Sequence, residues 1–294
     1  MFDNIDKSKY LALLVLLLPS LLGMLAFVIA PIIASLILSF SQWDLIGDVK
    51  WIGFDNYTTI IFDPAVRTAL FNTLMFIAGY LPSVIVIALG LALVLNSKIK
   101  AKTFFRAVYF VPVVTSWVAV SLVWKWMLNP VYGIVNYGLS FVGIDGPGWL
   151  YDPNWAMAGV ILTTVWKDIG FVMVIYLAGL QDIPENLYEA AELEDANAWQ
   201  KFRFITWPLL ARTTFFVTTI SLINSFQVFD QIWVMTKGGP AGSTSVMMEL
   251  IYKNAFSYYK MGYASAISWV LFVIIFAVTI TQNYLQKQRS AYNV

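Results

Sequence analysis

The residues that could most readily take part in chemistry are ionisable side chains inside long apolar runs. Lys167 and Asp168 interrupt one such run, and Asp230 lies near the end of another. Charged groups inside a membrane segment are costly and typically mark solute paths, proton relays or buried ion pairs. Because neighbouring residues of a helix point in different directions, Lys167 and Asp168 need not neutralise each other, and Asp230 is a possible partner for Lys167. A structural ion pair and contact with a solute both stay open.

A row of hydrogen-bonding side chains precedes and surrounds Asp230. At about 100° per residue of an α-helix, its members fall within an arc of roughly 120°, while Phe226 and Phe229 lie off this stripe. Polar groups inside a membrane favour a hydrated cavity over lipid. We therefore predict that the row faces a solute pathway, with hydrogen bonds between helices as the alternative. Its members are Ser221, Asn224, Gln227 and Gln231.

Long apolar runs supply the elements that must position these residues. The chain has 294 residues, of which 60% are hydrophobic, and its mean hydropathy is +0.73. These values are too high for a soluble domain and predict an all-α integral membrane protein with about six transmembrane helices in a single domain, 1–294. The predicted spans are about 11–40, 68–96, 107–128, 155–180, 211–233 and 263–285.

The distribution of basic residues predicts the orientation of the chain. Lys98, Lys100, Lys102 and Arg106 form a cluster between the second and third spans. Since cytoplasmic loops are enriched in Lys and Arg, this loop and both chain termini are predicted to be cytoplasmic.

Composition also excludes several functions. The chain has no Cys and no His, and its net charge is +1. Thiolate chemistry and His-based catalysis or metal binding are therefore excluded, and nothing favours nucleic acid. The sequence lacks the Gly-x-x-x-x-Gly-Lys-Ser/Thr pattern of a phosphate-binding loop. We predict no enzyme activity, no metal and no cofactor in this chain.

A charged segment, about 181–210, separates the fourth and fifth spans. Pro184 is typical of a helix start, and Glu185, Glu189 and Glu192 then recur at spacings of three and four residues, which places them on one helical face. On the predicted topology this segment lies in the cytoplasm.

This segment resembles the EAA loop of permeases from carbohydrate-type, binding-protein-dependent ABC importers, the maltose and glycerol-phosphate permease-like family. Two positions depart from the family pattern: Asp195 stands where Gly is typical, and Trp207 replaces the Leu before the proline. Asp adopts the left-handed backbone conformation less easily than Gly does. The stretches FNTLMF, RAVYFVPVV, YLAGLQDIP and SFQVFDQIWVMTKGGP are also similar to this family. The matching loop positions are Glu189, Ala190, Ala191, Glu192, Ala196, Asn197, Trp199, Phe202, Arg203, Ile205, Thr206, Pro208 and Leu209.

The resemblance implies the type I importer permease fold in a bacterial cytoplasmic (inner) membrane. It implies a heterodimer with a second permease subunit, two ATPase subunits that bind MgATP, and an extracytoplasmic solute-binding protein. The solute would be a sugar, an oligosaccharide or a sugar-like solute, which includes glycosides that serve as compatible solutes and glycerol phosphate. Trp166 would stack on a sugar ring or pack between helices. The implied ATPase-coupling residues are Glu185, Glu189, Ala190, Ala191, Glu192, Asp195, Ala196, Arg203 and Pro208.

Three rival interpretations remain at this stage. A secondary transporter driven by an ion gradient would use Lys167, Asp168 and Asp230 as a relay. A membrane-embedded enzyme would need facing carboxylates, and the fourth span supplies only Asp168. A scaffold that docks an ATPase would transport nothing.

Overall fold

A computed structural model describes residues 7–97 and 101–291, with side chains from Val15 to Tyr284 and at residue 286. The elements are almost all helical. Those before the central helix are α1 (Lys7–Met24), a π-helical turn (Leu25–Ile29), α2 (Ala30–Ser39), β1 (Ser41–Gln42), β2 (Lys50–Trp51), α3 (Asp55–Phe62), α4 (Pro64–Asn96), α5 (Lys102–Val114), α6 (Trp117–Met127), α7 (Ile134–Ser140) and a 3₁₀ turn (Trp149–Tyr151). The rest are α8 (Ala156–Gln181), α9 (Glu185–Leu193), α10 (Ala198–Lys201), a π-helical turn (Phe202–Thr206), α11 (Trp207–Leu209), α12 (Ala211–Phe226), α13 (Asp230–Met235), α14 (Met247–Tyr252), a π-helical turn (Lys253–Ser257) and α15 (Met261–Ala291).

The chain divides into two compact units, and the first contains the residues up to Asp63 together with Ile251–Val270. Here β1 and β2 form a short antiparallel hairpin. The Asn56 side-chain amide donates to the backbone oxygens of Ser39 and Ser41, at 2.9 and 3.0 Å. These bonds tie α3 to the strand that follows α2.

The second unit contains Pro64–Leu250 and the residues from Leu271 onward, and it is built around α8. In the most apolar stretch of α8, 61% of the residues are buried, against 28% in α4. The helix packs against α4, α5, α6, α12 and α13. Gly170 permits the closest approach, because a Cβ atom there would collide with the backbone oxygen of Tyr109 on α5. The centre of the unit is therefore a helix that a neighbouring backbone approaches closely at Gly170.

The predicted span 107–128 is bent by 101° where α5 gives way to α6. Thr115 and Ser116 both have extended backbone conformations. Pro112 lacks a backbone N–H and disrupts the helical ladder just before this point. The bend therefore has a local cause that is visible in the sequence.

The prediction of one continuous helix over 211–233 is wrong. Helix α12 ends at Phe226, and α13 begins at Asp230 after a break formed by Gln227, Val228 and Phe229. Gln227 and Gln231 therefore do not share a helical face with Ser221, contrary to the prediction. The break contains no Pro or Gly, so the local sequence favours a continuous helix. The packing of α13 against α6 and α8 outweighs this local preference.

Within the described residues, four helical segments are long and apolar enough to cross a membrane, and the number reaches six if each bent pair counts as one span. The four are Val15–Ser39, Pro64–Asn96, Ala156–Gln181 and Met261–Tyr284, and the bent pairs are Lys102–Val114 with Trp117–Met127 and Ala198–Leu209 with Ala211–Phe226. Lys98, Lys100 and both extreme chain ends lie outside the described residues. The orientation of the termini and the single-domain organisation stay predictions.

Candidate substrate cavity and coupling segment

A cavity of about 390 Å³ lies in the second unit, within the size range of small-molecule sites. The helix break at 227–229 forms part of its wall, and helices α4, α6, α8, α12 and α13 contribute the rest. Its lining combines aromatic rings with hydroxyl, amide and carboxyl groups. The lining residues are Phe76, Tyr80, Trp117, Thr164, Asp168, Asn224, Ser225, Gln227, Val228, Phe229, Asp230 and Gln231.

Tyr80 connects two helices at the cavity. Its hydroxyl on α4 donates to Oδ2 of Asp168 on α8 at 2.8 Å. Phe76, one helical turn earlier on α4, stacks on the Tyr80 ring at 5.5 Å between centroids. A carboxyl group removed from water needs such a donor. The predicted residue Ser221 is buried and does not line the cavity.

The amide side chains divide into one buried group and two exposed groups. Gln231 is buried, and its Nε2 donates to the Thr164 hydroxyl at 3.3 Å. Asn224 and Gln227 line the cavity and are exposed. An amide offers both donors and an acceptor. The two exposed amides are therefore available to the hydroxyl groups of a polar solute.

Lys167 does not pair with Asp230. The Lys167 side chain is only 4% exposed. Its Nζ donates to the backbone oxygen of Val113 at 3.1 Å and lies 4.6 Å from the centre of the Trp117 ring. Carbonyls in the last turn of a helix lack intrahelical partners, and a cation over an aromatic face is attracted by the ring. Lys167 therefore binds the end of α5 and the start of α6, on either side of the 101° bend.

Trp117, and not Trp166, supplies the indole ring in the cavity wall. Trp166 is 44% exposed and packs edge-on against Trp124 at 5.5 Å. The sequence pointed to Trp166 because it precedes Lys167, but adjacent residues of a helix point in different directions. The sequence feature that marks Trp117 is its position directly after the bend that follows Pro112.

The predicted coupling segment, about 181–210, contains helix α9, and this helix ends in a Schellman motif. The backbone N–H of Ala196 donates to Ala191 O at 2.9 Å, and that of Asp195 donates to Glu192 O at 3.1 Å. This motif places the first residue after the helix cap in the left-handed region, and that residue, Asp195, has φ +53°. The left-handed turn considered from the sequence is therefore present, with Asp in the position that usually holds Gly.

A second helix follows after this turn. Asn197 caps α10 through a capping box: Gln200 N donates to Asn197 Oδ1 at 3.0 Å, and Asn197 N donates to Gln200 Oε1 at 2.8 Å. Across the turn, Lys201 Nζ lies 2.8 Å from Glu192 Oε1. The chain then passes through a π-helical turn in which Trp207 N bonds to Phe202 O. This adjustment accommodates Pro208, which has no N–H to donate.

Most of the predicted coupling residues are exposed. The exposed members are Glu185, Glu189, Ala190, Glu192, Asp195, Arg203 and Pro208, whereas Ala191 and Ala196 are partly buried. Large apolar side chains also face outward: Leu193 is 88% exposed, Trp199 68% and Phe204 73%. Apolar surface of this kind beside carboxylates is typical of a protein contact.

Comparisons with known proteins identify the family. Residues 65–290 match the model of the binding-protein-dependent transport system inner membrane component, and the chain belongs to this family. A probable ABC transporter permease of Pyrococcus horikoshii is 32% identical over 275 residues, covering 92% of this chain and 94% of the relative. The lactose transport system permease protein LacF of Rhizobium radiobacter is 35% identical over 277 residues, covering 92% of each chain.

A solved structure supports the same assignment. A chain of the bacterial alginate ABC transporter, in complex with an alginate pentasaccharide-bound periplasmic protein, aligns with a TM-score of 0.85 at 25% identity over 96% of both chains. The predicted resemblance to ABC importer permeases and the predicted importer permease fold are confirmed. The protein is a multi-pass inner membrane component.

Proposed function

We propose that this chain is one of two permease subunits of an ATP-driven importer for a sugar, an oligosaccharide or a sugar-like solute. A solute-binding protein delivers the solute to the outer face, and the permease pair carries it inward by alternating access. The names of relatives support a saccharide: one is a lactose permease, and the solved neighbour is an alginate transporter.

The observation that carries this proposal is the composition of the cavity. Saccharides present hydroxyl groups at their edges and C–H groups on their faces. Amide and carboxyl groups of Asn224, Gln227 and Asp230 can bond the hydroxyls, while the rings of Trp117 and Phe229 offer apolar faces. In small-molecule sites, placed polar groups fix the orientation of a ligand while apolar and aromatic groups bury its surface. The solute path therefore runs along α12 and the break that follows it.

Energy comes from partner subunits, because this sequence has no phosphate-binding loop. Two ATPase subunits bind MgATP, and one docks on α9 through the exposed face that contains Glu189 and Leu193. ATP favours the closed ATPase dimer, and this preference shifts the permease towards its outward-facing state. The left-handed turn at Asp195 and the capping box at Asn197 give the docking surface a fixed shape.

The test measures ATPase activity in nanodiscs that hold the assembled importer, with a panel of saccharides loaded on the binding protein. Wild type is compared with Glu189→Lys and with Asp145→Lys, a charge reversal at an exposed position outside the coupling segment. We expect one or more sugars to stimulate ATP hydrolysis, with the stimulation reduced at least about tenfold in Glu189→Lys, a loss of about 1.4 kcal/mol or more in coupling free energy. The control should retain the wild-type response.

The rival transporter predicts different behaviour. Sugar uptake that follows an imposed ion gradient, ignores ATP and survives Glu189→Lys would refute the importer assignment. It would direct attention to Asp168 and Asp230, which line the cavity.

A further inference from the structure

The ionisable side chains that line the cavity have one sign. Asp168 and Asp230 contribute carboxyl groups, and none of the lining residues, all of which are described, is Lys or Arg. Asp230 is exposed at the cavity wall, whereas Asp168 accepts a hydrogen bond from the Tyr80 hydroxyl. A solute in this space therefore meets carboxyl oxygens without a compensating cation from the wall.

The cation adjacent to Asp168 in sequence is held away from the solute. Lys167 is not among the lining residues, because its ammonium group binds the Val113 carbonyl and the face of the Trp117 ring. The ammonium group lies 4.6 Å from the centre of the Trp117 ring, and Trp117 itself lines the cavity. The arrangement presents an indole to the solute in place of an ammonium group.

These charges distinguish between classes of saccharide. The hydroxyl groups of an uncharged sugar can donate to carboxylate and amide oxygens. A carboxylate, phosphate or sulfonate on the sugar would face like charges in a cleft whose charged side chains all have one sign, and such a cleft repels ions of that sign. Such a group would lose its hydration without gaining a charged partner.

We propose that this subunit selects uncharged saccharides and rejects those that carry an acidic group. The proposal rests on the proposed importer function and narrows its substrate class. It also separates this chain from its structural neighbour, an importer of the acidic polysaccharide alginate. Within one fold, the signs of a few cavity side chains would then divide neutral from acidic sugar uptake.

The experiment measures sugar binding to the assembled importer in nanodiscs without the binding protein, so that the permease pair alone discriminates. Radiolabelled maltotriose and lactose are the probes, in scintillation proximity assays. The competitors are the same sugars and their counterparts in which C6 of the terminal non-reducing residue is oxidised to a carboxylate. We expect the acidic competitors to bind about tenfold more weakly, a difference of about 1.4 kcal/mol.

Two isosteric variants test the assignment to the cavity carboxylates. Asp230→Asn and Asp168→Asn should each reduce the neutral-to-acidic ratio to about threefold or less, since each removes one of the two like charges. Asp230 is exposed, so its amide variant tests the proposal even if Asp168→Asn destabilises the fold. Asp48→Asn, an exposed loop position outside this cavity, is the matched control and should keep the wild-type ratio.

The outcomes separate the two proposals. Equal competition by neutral and acidic sugars in wild type would overturn the charge-selection proposal and leave the importer intact. A preference for neutral sugars that persists unchanged in both cavity variants would also overturn it, because selection would then reside elsewhere. If neither probe binds and no saccharide stimulates ATP hydrolysis, the importer proposal fails, and the selection proposal fails with it.

Discussion

The cavity and the coupling segment differ in how their polar side chains find partners. Around the cavity, bonds join helices far apart in sequence, such as the bond from Tyr80 of α4 to Asp168 of α8. In the coupling segment, the principal bonds are local, such as the reciprocal pair between Asn197 and Gln200. Cavity substitutions should therefore disturb helix packing and solute affinity together, whereas coupling substitutions should alter docking at little cost to global stability.

The largest effect is expected from Gly170→Leu, which tests the packing that frames the cavity. A side chain there would collide with the Tyr109 backbone of α5, and backbone cannot move aside as a flexible side chain can. We expect a loss of about 3 kcal/mol or more in the free energy of unfolding, measured by thermal or denaturant unfolding in nanodiscs. Gly90→Leu on α4 is the control, since nothing lies within 4 Å of a Cβ there. Equal losses in both variants would contradict the close approach of α5 to α8.

A second, smaller effect is expected from Tyr80→Phe. The change removes the hydroxyl that Asp168 accepts and leaves a carboxyl group at the cavity without its donor. The cost should be about 1–3 kcal/mol in stability, with weakened sugar binding in the same assays. Tyr132→Phe, at an exposed tyrosine, should have little effect on either quantity. Unchanged stability and affinity in Tyr80→Phe would show that the bond between Tyr80 and Asp168 does not stabilise the cavity.

In the coupling segment, Asn197→Ala should act locally. It removes the capping side chain of α10 and should cost about 1 kcal/mol in the stability of that helix. Hydrogen exchange across 198–206 should accelerate about fivefold, which is the factor for a change of about 1 kcal/mol, while exchange in α8 stays as in wild type. Asn154→Ala at an exposed loop position serves as control. Faster exchange spread over the cavity helices would refute the local character of this segment.

The smallest effect is expected from Asp195→Gly. Glycine suits the left-handed conformation at this position, φ +53°, but it also increases the freedom of the unfolded chain. The two terms oppose each other, so stability should change by no more than about 0.5 kcal/mol, and ATPase coupling should be retained. Asp195→Val should instead cost about 1–2 kcal/mol, because a β-branched side chain is strained there. Unfolding midpoints of the two variants, measured side by side, test this ordering.

Much of the candidate site could be predicted from composition and periodicity. Polar residues in apolar runs located Asp168, Asn224 and Asp230, which the structure brings to one cavity. Helix signals located α9, because Pro184 and the recurring glutamates are local features. Predictions of this kind depend only on near neighbours in the chain.

Other features required tertiary structure. The break at 227–229 has no Pro or Gly to announce it, so it follows from the packing of α13 against its neighbours. The partner of Lys167 is a backbone carbonyl, which no sequence pattern marks. The choice of Trp117 over Trp166 depends on which helix face meets α4 and α12. Whether the named residues contact solute or an ATPase stays a prediction that the experiments above address.

The break between α12 and α13 also bears on how the solute preference of such a protein would change during evolution. The ends of two helices contribute backbone carbonyl and N–H groups that lack intrahelical partners, and residues of this break line the cavity. Backbone groups persist through every substitution, whereas side chains such as Gln227 can be exchanged one at a time. Under the proposed function, single substitutions at side chains such as Gln227 would therefore change the lining of the cavity while the backbone course of the break stays the same.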